Sequence, residues 1–378
     1  MKKVILFGAS GNIGSQTLEI LKANTQKFSL TAFSVGDNDK VIATILNDFK
    51  TVKMVYANNV QPELQTQFPQ VKFIKTDVTQ LLNEPGDLII NALSGFFGVK
   101  VTLAALQQEK IVLNANKESF VVAGALIQKL LSQSQQAKIY PLDSEHCAIW
   151  QCLEANQEIN KIYLTASGGP FRTKSLAETK KVDLVAALQH PSWNMGAKIT
   201  IDSATMFNKA FEILEVYHLF QTNKIVTLVH PESIIHSMVE FVDGSIKAQL
   251  SVPDMKQVIN YFLNYPTRTS FIGQKNLNFE ELVTLNLKII DQKRFTPIAM
   301  AQACLNENNS LAVALNAANE VCVAQFQANK ISFYQITKLV QQVFQDCPLQ
   351  VLQTYQEIEE FDTLVRKLTE QKIREEMS

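Results

Sequence analysis

The chain has no block of like charge: Lys and Arg together number 35 and Asp and Glu 36, over 378 residues. Broad electrostatic attraction to nucleic acid or to an acidic membrane is therefore not expected. No run approaches the roughly 20 apolar residues that a spanning helix needs. Cysteine is sparse. Cys147, Cys152, Cys304, Cys322 and Cys347 are odd in number and never spaced Cys-x-x-Cys, which argues for reduced thiols in a cytosol rather than a disulfide frame or a zinc site. The apolar run Val4 to Phe7 is too short for a secretory hydrophobic region, and no Arg-rich transit segment precedes it. The expectation is a cytoplasmic protein without nucleic-acid or membrane partners.

Length alone predicts two or three domains. Over residues 1–142, short β-branched runs (Val4 to Phe7, Leu30 to Val35, Val52 to Tyr56, Leu88 to Asn91, Ile111 to Asn114, Lys138 to Pro141) alternate with amphipathic stretches such as Ile13 to Ala23 and Val99 to Leu106. That alternation predicts an α/β unit, a Rossmann-like parallel sheet covered by helices. Residues 143–266 have α+β texture and are expected to form a connective and catalytic domain. Lys161 to Ala166 and Lys198 to Ile201 read as strands and Ala204 to Leu219 as one helix. Ser237 to Phe241 and Ile246 to Leu250 read as a hairpin with a type I′ turn at Asp243-Gly244. Residues 267–293 read as a linker. Residues 294–378 carry only helical periodicity, at Pro297 to Leu305, Leu311 to Gln327, Phe333 to Phe344 and Thr354 to Glu375, which predicts a C-terminal helical bundle.

Gly8-Ala9-Ser10-Gly11-Asn12-Ile13-Gly14 lies between the first strand and the first helix. Glycines there let a backbone approach a pyrophosphate at a helix N-terminus, or they serve tight packing alone. The second strand ends at Gly36-Asp37-Asn38, and an acidic residue at this place favours NADH when read by itself. Asp143-Ser144-Glu145 follows a strand end, where two carboxylates either converge on a hard cation such as Mg²⁺ or Mn²⁺ or only begin a helix. With Ser203 as a helix cap, Thr205, Asn208, Lys209 and Glu212 fall on one face, either a phosphate clamp with a third metal carboxylate or a solvated stripe. Asn116-Lys117-Glu118 and Ser167-Gly168-Gly169 follow other strands, as functional groups or as plain loops. His190-Pro191-Ser192-Trp193-Asn194-Met195-Gly196 resembles a lid, with an ordinary surface loop as the alternative. His230 and His236 read as structural.

Taken in order, these motifs resemble the 1-deoxy-D-xylulose 5-phosphate reductoisomerase family, and His230-Pro-Glu-Ser-Ile-Ile-His-Ser-Met238 and Leu315-Asn-Ala-Ala-Asn-Glu320 continue the series. The resemblance implies a homodimeric, NADPH-dependent oxidoreductase using Mg²⁺ or Mn²⁺. It implies rearrangement of a phosphorylated ketose by retro-aldol and aldol steps and then reduction of the resulting aldehyde, giving 2-C-methyl-D-erythritol 4-phosphate on the non-mevalonate route to isoprenoids. It also assigns residues. Asp143, Glu145 and Glu212 hold the metal and, with Lys117, form the catalytic group; Lys117, Ser144 and His190 contact substrate; Ser167, Ser203, Asn208 and Lys209 hold its phosphate. Gly8, Ser10, Gly11, Asn12, Ile13, Gly36, Asp37, Asn38, Asn116, Glu118 and Gly196 line the cofactor. Trp193 and Met195 belong to the lid over the substrate. Asp37 opposes a 2′-phosphate, and Lys40 is the residue placed to compensate for it. Two rival readings are a metal-free dehydrogenase, which has no use for three convergent carboxylates, and a dinucleotide-binding redox sensor, which needs no phosphate clamp.

Overall fold

A computed structural model describes the chain except residues 37–39, 155–156, 194, 282–283, 306–308 and 378, and except the side chains of 176, 177 and 377. Two of the expected cofactor residues, Asp37 and Asn38, thus lie outside the described residues, as does Asn194 of the lid motif. The chain divides into two compact units. The first comprises Met1–Ser119, Ile127–Asp143 and Asp254–Lys275, and the second Phe120–Leu126, Ser144–Pro253 and Asn276–Ser378.

The first unit is built on seven parallel strands: β1 (Lys2–Phe7), β2 (Phe28–Ser34), β3 (Met54–Tyr56), β4 (Lys72–Ile74), β5 (Leu88–Asn91), β6 (Ile111–Asn114) and β7 (Lys138–Pro141). Their order, β4-β3-β2-β1-β5-β6-β7, reverses direction between β1 and β5. Open α/β sheets place their ligands at such a switch point, outside the carboxyl ends of the strands. Val4, Ile5, Leu6 and Phe7 are wholly buried, as expected for a strand covered on both faces. β4 was not foreseen, because Lys72-Phe73-Ile74 is too short to show a period.

The helix Met255–Asn264 groups with this unit rather than with the connective segment in which its sequence position had placed it. Its amphipathic face supplies the reason. Phe262 is 2% exposed and stacks on Tyr140 of β7 at 5.3 Å between centroids. Lys2 Nζ donates to the Leu263 carbonyl at 3.2 Å, and Lys256 pairs with Glu19.

The second unit carries a mixed sheet of β8 (Ile159–Ala166), β9 (Ile225–Val229), β10 (Ile235–Phe241), β11 (Ile246–Leu250) and β12 (Lys288–Ile289), ordered β11-β10-β8-β9-β12. β8 and β9 run parallel and the other pairs antiparallel. β12 lies inside the segment read as a linker. The β10–β11 turn is not type I′, which needs two positive φ values: only Gly244 has one, +83°, and its N–H donates to the Phe241 carbonyl at 2.9 Å.

The C-terminal helices Thr296–Ala303, Ser310–Gln327, Phe333–Asp346 and Tyr355–Met377 belong to the second unit. Helix Ser310–Gln327 is buried around almost its whole circumference. A helix apolar on every side requires neighbours on every side, and here they include the helix Ala197–Thr205.

Replacing Phe262 with Ala should destabilise the first unit by about 3–5 kcal/mol. Urea unfolding followed by fluorescence checks this, and a loss below about 1 kcal/mol would show that the helix is peripheral to that core.

Candidate active site

At the carboxyl end of β1, two glycines are dictated by close packing. Gly8 has φ +81°, and a Cβ there would lie 2.5 Å from the Ala92 carbonyl oxygen; a Cβ on Gly14 would lie 2.1 Å from the Gly8 oxygen. Gly11 is different. Its nearest obstacle is 3.4 Å away, it caps the helix Asn12–Ala23 with no side-chain bond, and Ser10, Gly11 and Asn12 are exposed. An exposed helix N-terminus, with its positive dipole end, suits an anion. Ile13 is half-buried beside them, and Gly36 is exposed at the end of the second strand.

Asn116 and Glu118 are placed otherwise. Asn116 is 1% exposed. Its amide donates to the carbonyls of Leu93 and Gly95 and to Glu118, while its oxygen accepts from Ser119 N–H and Oγ. Its side chain is thus engaged in holding the 93–95 loop. Gly196 lies in the second unit, as the exposed N-cap of the helix Ala197–Thr205.

The acidic residues converge. Asp143 ends the first unit and is peptide-bonded to Ser144, which opens the helix Ser144–Cys152. Carboxylate oxygens of Asp143, Glu145 and Glu212 all lie within 4.8 Å of one another. Lys117 donates to Asp143. Lys209, 3% exposed, donates to Glu212 and to the Thr165 carbonyl and stands 3.4 Å from Glu145. Asn208 Nδ2 donates to Glu212 Oε1 at 2.5 Å, and Ser144 Oγ to Glu145 Oε2 at 2.7 Å. All ligand atoms are hard oxygens, the donor set that Mg²⁺ and Mn²⁺ prefer. Two ammonium groups offset three carboxylates only in part, so the cluster stays attractive to a cation. Behind it, His146 Nε2–H donates to the Glu212 carbonyl at 3.2 Å, and His146 and Glu215 are 0% and 2% exposed. That buried ring ties the two carboxylate-bearing helices of this unit together.

A second gathering centres on His190. Its Nε2 lies 3.1 Å from Ser167 Oγ and 3.1 Å from Ser203 Oγ, and its Nδ1 accepts from the N–H groups of Ser192 and Trp193 at 3.2 and 2.9 Å. Two donors on Nδ1 leave the proton on Nε2, so the neutral ring presents an N–H toward the serines. Burial lowers the imidazole pKa to about 4, consistent with a ring that stays neutral. Gly168 and Gly169, at φ +80° and +67°, bring the Ser167 loop onto the Ser203 helix: a Cβ on Gly169 would lie 2.9 Å from the Ser203 carbonyl oxygen. Trp193 is half-buried with its ring centroid 6.1 Å from that of His236, and Met195 is half-buried too. His230 is structural, donating to the Asn286 carbonyl and accepting from Ile234 and Ile235 N–H.

The expected phosphate group is therefore divided. Ser167 and Ser203 meet at His190, whereas Asn208 and Lys209 stand with the carboxylates. Local structure explains this and corrects three expectations. Lys198 to Ile201 is helical, within Ala197–Thr205. Lys198 pairs with Asp202 one turn on, a spacing that supports a helix, and the Thr200 and Thr205 hydroxyls are satisfied on the Gly196 and Ile201 carbonyls. Ser203 is accordingly not a cap but lies in the last turn. The expected single helix breaks at Met206, φ +71°, and Phe207–Phe220 follows, so Thr205 does not share the face of Asn208 and Glu212.

Sequence reasoning missed a buried polar network at the ends of β5 and β6. Asn91 donates to Thr102 and to the Gly98 carbonyl, Thr102 bonds Asn114 and Ser119, and Asn114 donates to the Asn116 carbonyl. The signal was available: two apolar strands each end in Asn, and Asn91 and Asn114 are register partners.

Family models match at residues 4–124, described as 1-deoxy-D-xylulose 5-phosphate reductoisomerase, at 139–220, described as the C-terminal domain of that enzyme, and at 250–368, described as the DXP reductoisomerase C-terminal domain. The 1-deoxy-D-xylulose 5-phosphate reductoisomerase of Listeria innocua is 41% identical over 90% of this chain and 92% of its own length. A second relative, from Bacillus thuringiensis, bears the same enzyme name and is 37% identical over 99% and 100%. Among solved structures, a DOX-P reductoisomerase in complex with NADPH, fosmidomycin and magnesium superposes with a TM-score of 0.90 at 32% identity, covering 99% of this chain and 98% of that one. The Zymomonas mobilis enzyme in complex with NADPH gives 0.88 at 33%, covering 98% and 99%. Ordered motifs, fold and near-complete coverage agree, and the chain belongs to the 1-deoxy-D-xylulose 5-phosphate reductoisomerase family.

Proposed function

We propose that this chain converts 1-deoxy-D-xylulose 5-phosphate to 2-C-methyl-D-erythritol 4-phosphate, an NADPH-dependent step of the non-mevalonate isoprenoid route, with Mg²⁺ or Mn²⁺ held by Asp143, Glu145 and Glu212. The observation that carries this reading is the gathering of those carboxylates within 4.8 Å, flanked by Lys117 and Lys209. Family membership and the likeness to a relative solved with NADPH, fosmidomycin and magnesium support it.

Asp143, Glu145 and Glu212 would hold a divalent cation that, when bound, would supply Lewis-acid polarisation to the ketose oxygens, and bound NADPH would supply the reducing hydride. The protein's own groups do the rest. Lys117, paired with Asp143, stabilises or moves charge at the substrate oxygens. Ser144 contacts the substrate and orients Glu145 through its hydrogen bond. Ser167, Ser203 and the Nε2–H of His190 hold the phosphate. Asn208 and Lys209 reach it from the carboxylate side, exchanging present bonds to Glu212 for phosphate oxygens. Closure of the 190–196 loop brings Trp193 and Met195 over the substrate and excludes water from reactive fragments. The backbone bond from Trp193 to His190 Nδ1 couples that loop to the phosphate.

In the first unit, the open turn at Ser10, Gly11, Asn12 and Ile13 takes the pyrophosphate and Gly8 shapes that turn, while family resemblance assigns Gly36, Asp37 and Asn38 to the cofactor. Asn116 and Glu118 contribute through the loop they order, and Gly196 completes the cofactor contacts. The protein acts in the cytoplasm as a homodimer, an assembly supported by family resemblance.

Incubating the purified protein with 1-deoxy-D-xylulose 5-phosphate, Mg²⁺ and NADPH should yield 2-C-methyl-D-erythritol 4-phosphate by mass spectrometry and NMR. Glu212→Gln should lower turnover about 100-fold or more with NADPH binding intact, and EDTA should abolish turnover. Full activity in EDTA would instead support a metal-free dehydrogenase. Catalytic efficiency should favour NADPH over NADH, and the reverse order would make Asp37 the determinant.

His190 should titrate near pH 4, well below the ordinary value of about 6.5. Because its folded pKa is depressed, its contribution to stability is full above about pH 6.5 and is lost progressively as pH falls toward 4. NMR of the imidazole should show the Nε2–H tautomer through pH 5, and a midpoint near 6.5 would contradict the geometry.

A further inference from the structure

Two side chains of the C-terminal region bond the segments that carry the Ser167 and Ser203 hydroxyls. Arg294, half-buried just ahead of helix Thr296–Ala303, donates from Nη1 to the Arg172 carbonyl and from Nη2 to the Phe171 carbonyl, both at 2.5 Å. These carbonyls close the loop that begins at Ser167. Phe171 is 5% exposed and meets Phe333 edge-on at 5.1 Å. The planar fork of a guanidinium spans two successive carbonyls, whereas a lysine ammonium is a point charge and cannot do so in the same way.

On the opposite wall, Asn319 lies in the middle of helix Ser310–Gln327 with 0% exposure. Its Nδ2 donates to Asp202 Oδ1 at 2.7 Å, and Asp202 Oδ2 accepts from Lys198 at 2.8 Å. Both carboxylate oxygens of Asp202 are thereby committed, one residue ahead of Ser203. A side chain present only to fill that core would be apolar. Asn319 instead leaves its own Oδ1 buried without a hydrogen-bond partner among the described residues, an arrangement that costs stability.

We propose that Arg294 and Asn319 are positioning residues for substrate phosphate, Arg294 acting through the Ser167 loop and Asn319 through Asp202 on Ser203. The C-terminal helices thus set the affinity of the site as well as completing a core. This rests on the reading of Ser167, Ser203 and His190 as the phosphate cradle. Hydroxyls that converge within 3.1 Å of one imidazole nitrogen bind an anion well only while both walls keep their spacing.

The test uses full-length enzyme with Mg²⁺ and NADPH, and inorganic phosphate as a competitive probe. Arg294→Lys and Asn319→Ala should each raise both KM for 1-deoxy-D-xylulose 5-phosphate and Ki for phosphate roughly tenfold, with kcat changed less than about threefold and KM for NADPH unmoved. In a Ser203→Ala background, Asn319→Ala should add less than about twofold. If Ser203→Ala leaves both constants unmoved, the cradle reading fails and the proposal falls with it. If Ser203→Ala raises them while Arg294→Lys and Asn319→Ala do not, the proposal alone falls. Parallel loss of kcat and of affinity for both substrates, tracking a lowered Tm, would mark a purely structural role and overturn it. Should Asn319→Ala not fold, Arg294→Lys, at a half-buried position, still decides the matter through the same two constants.

Discussion

Three carboxylates held within 4.8 Å of one another impose a constraint that the polar groups around them must answer. At that spacing and an effective dielectric of about 20, each like-charged pair repels by roughly 3–4 kcal/mol. The chain meets that repulsion with placed cations and donors: Lys117 on Asp143, Lys209 on Glu212 and near Glu145, Asn208 on Glu212, Ser144 on Glu145. Lys209 is anchored in turn by the carbonyl of Thr165, whose hydroxyl bonds β10 backbone carbonyls, so the charge cluster is fixed to the mixed sheet. Glu212 is held at its backbone by His146. Such over-determination is what a preorganised cation site needs.

Much of this was legible in the sequence because strand ends are legible. Asp143 and Lys117 follow short runs whose alternation with helical stretches predicts parallel strands, and open α/β sheets place their ligands beyond carboxyl ends. The glycine turn was legible in the same way, and Gly8 and Gly14 prove indispensable to packing while Gly11 leaves room. The C-terminal helices were read to within two residues at most ends, since an amphipathic period sustained over many residues is the strongest local signal. What no local pattern could supply was which unit each helix joins. Met255–Asn264 reads as one more amphipathic helix, and only the aromatic stack of Phe262 on Tyr140 shows where its apolar face goes.

The clearest misreading has a tertiary origin. Lys198-Ile199-Thr200-Ile201 has the β-branched content of a strand, yet folds as helix, with Lys198 paired to Asp202 one turn on, the Thr200 hydroxyl satisfied on the Gly196 carbonyl, and Asp202 bonded from both sides. One of those bonds comes from Asn319, more than a hundred positions away, beyond any local window. Asn116 fails differently: its place after a strand invites a ligand contact, but its amide is engaged by two carbonyls and Glu118, an engagement set by the close approach of Gly98, where a Cβ would lie 2.5 Å from Nδ2.

The left-handed break at Met206 shows why the helix could not continue. In an unbroken α-helix, Ser203 and Glu212 would stand nine residues apart and so about half a turn, or roughly 180°, around the axis from each other. The Ser203 hydroxyl and the Glu212 carboxylate would then face opposite ways. Placing one non-glycine residue at φ +71° costs about 1 kcal/mol, and burial of Met206 to 2% exposure supplies the packing that holds it there. Beyond the break the chain resumes at Phe207 and sends Asn208, Lys209 and Glu212 toward one another, while Ser203 keeps its place at His190. Strain concentrated at one buried residue thus lets a single stretch of sequence serve two gatherings of polar groups, and backbone strain of this kind persists where surrounding contacts over-determine it.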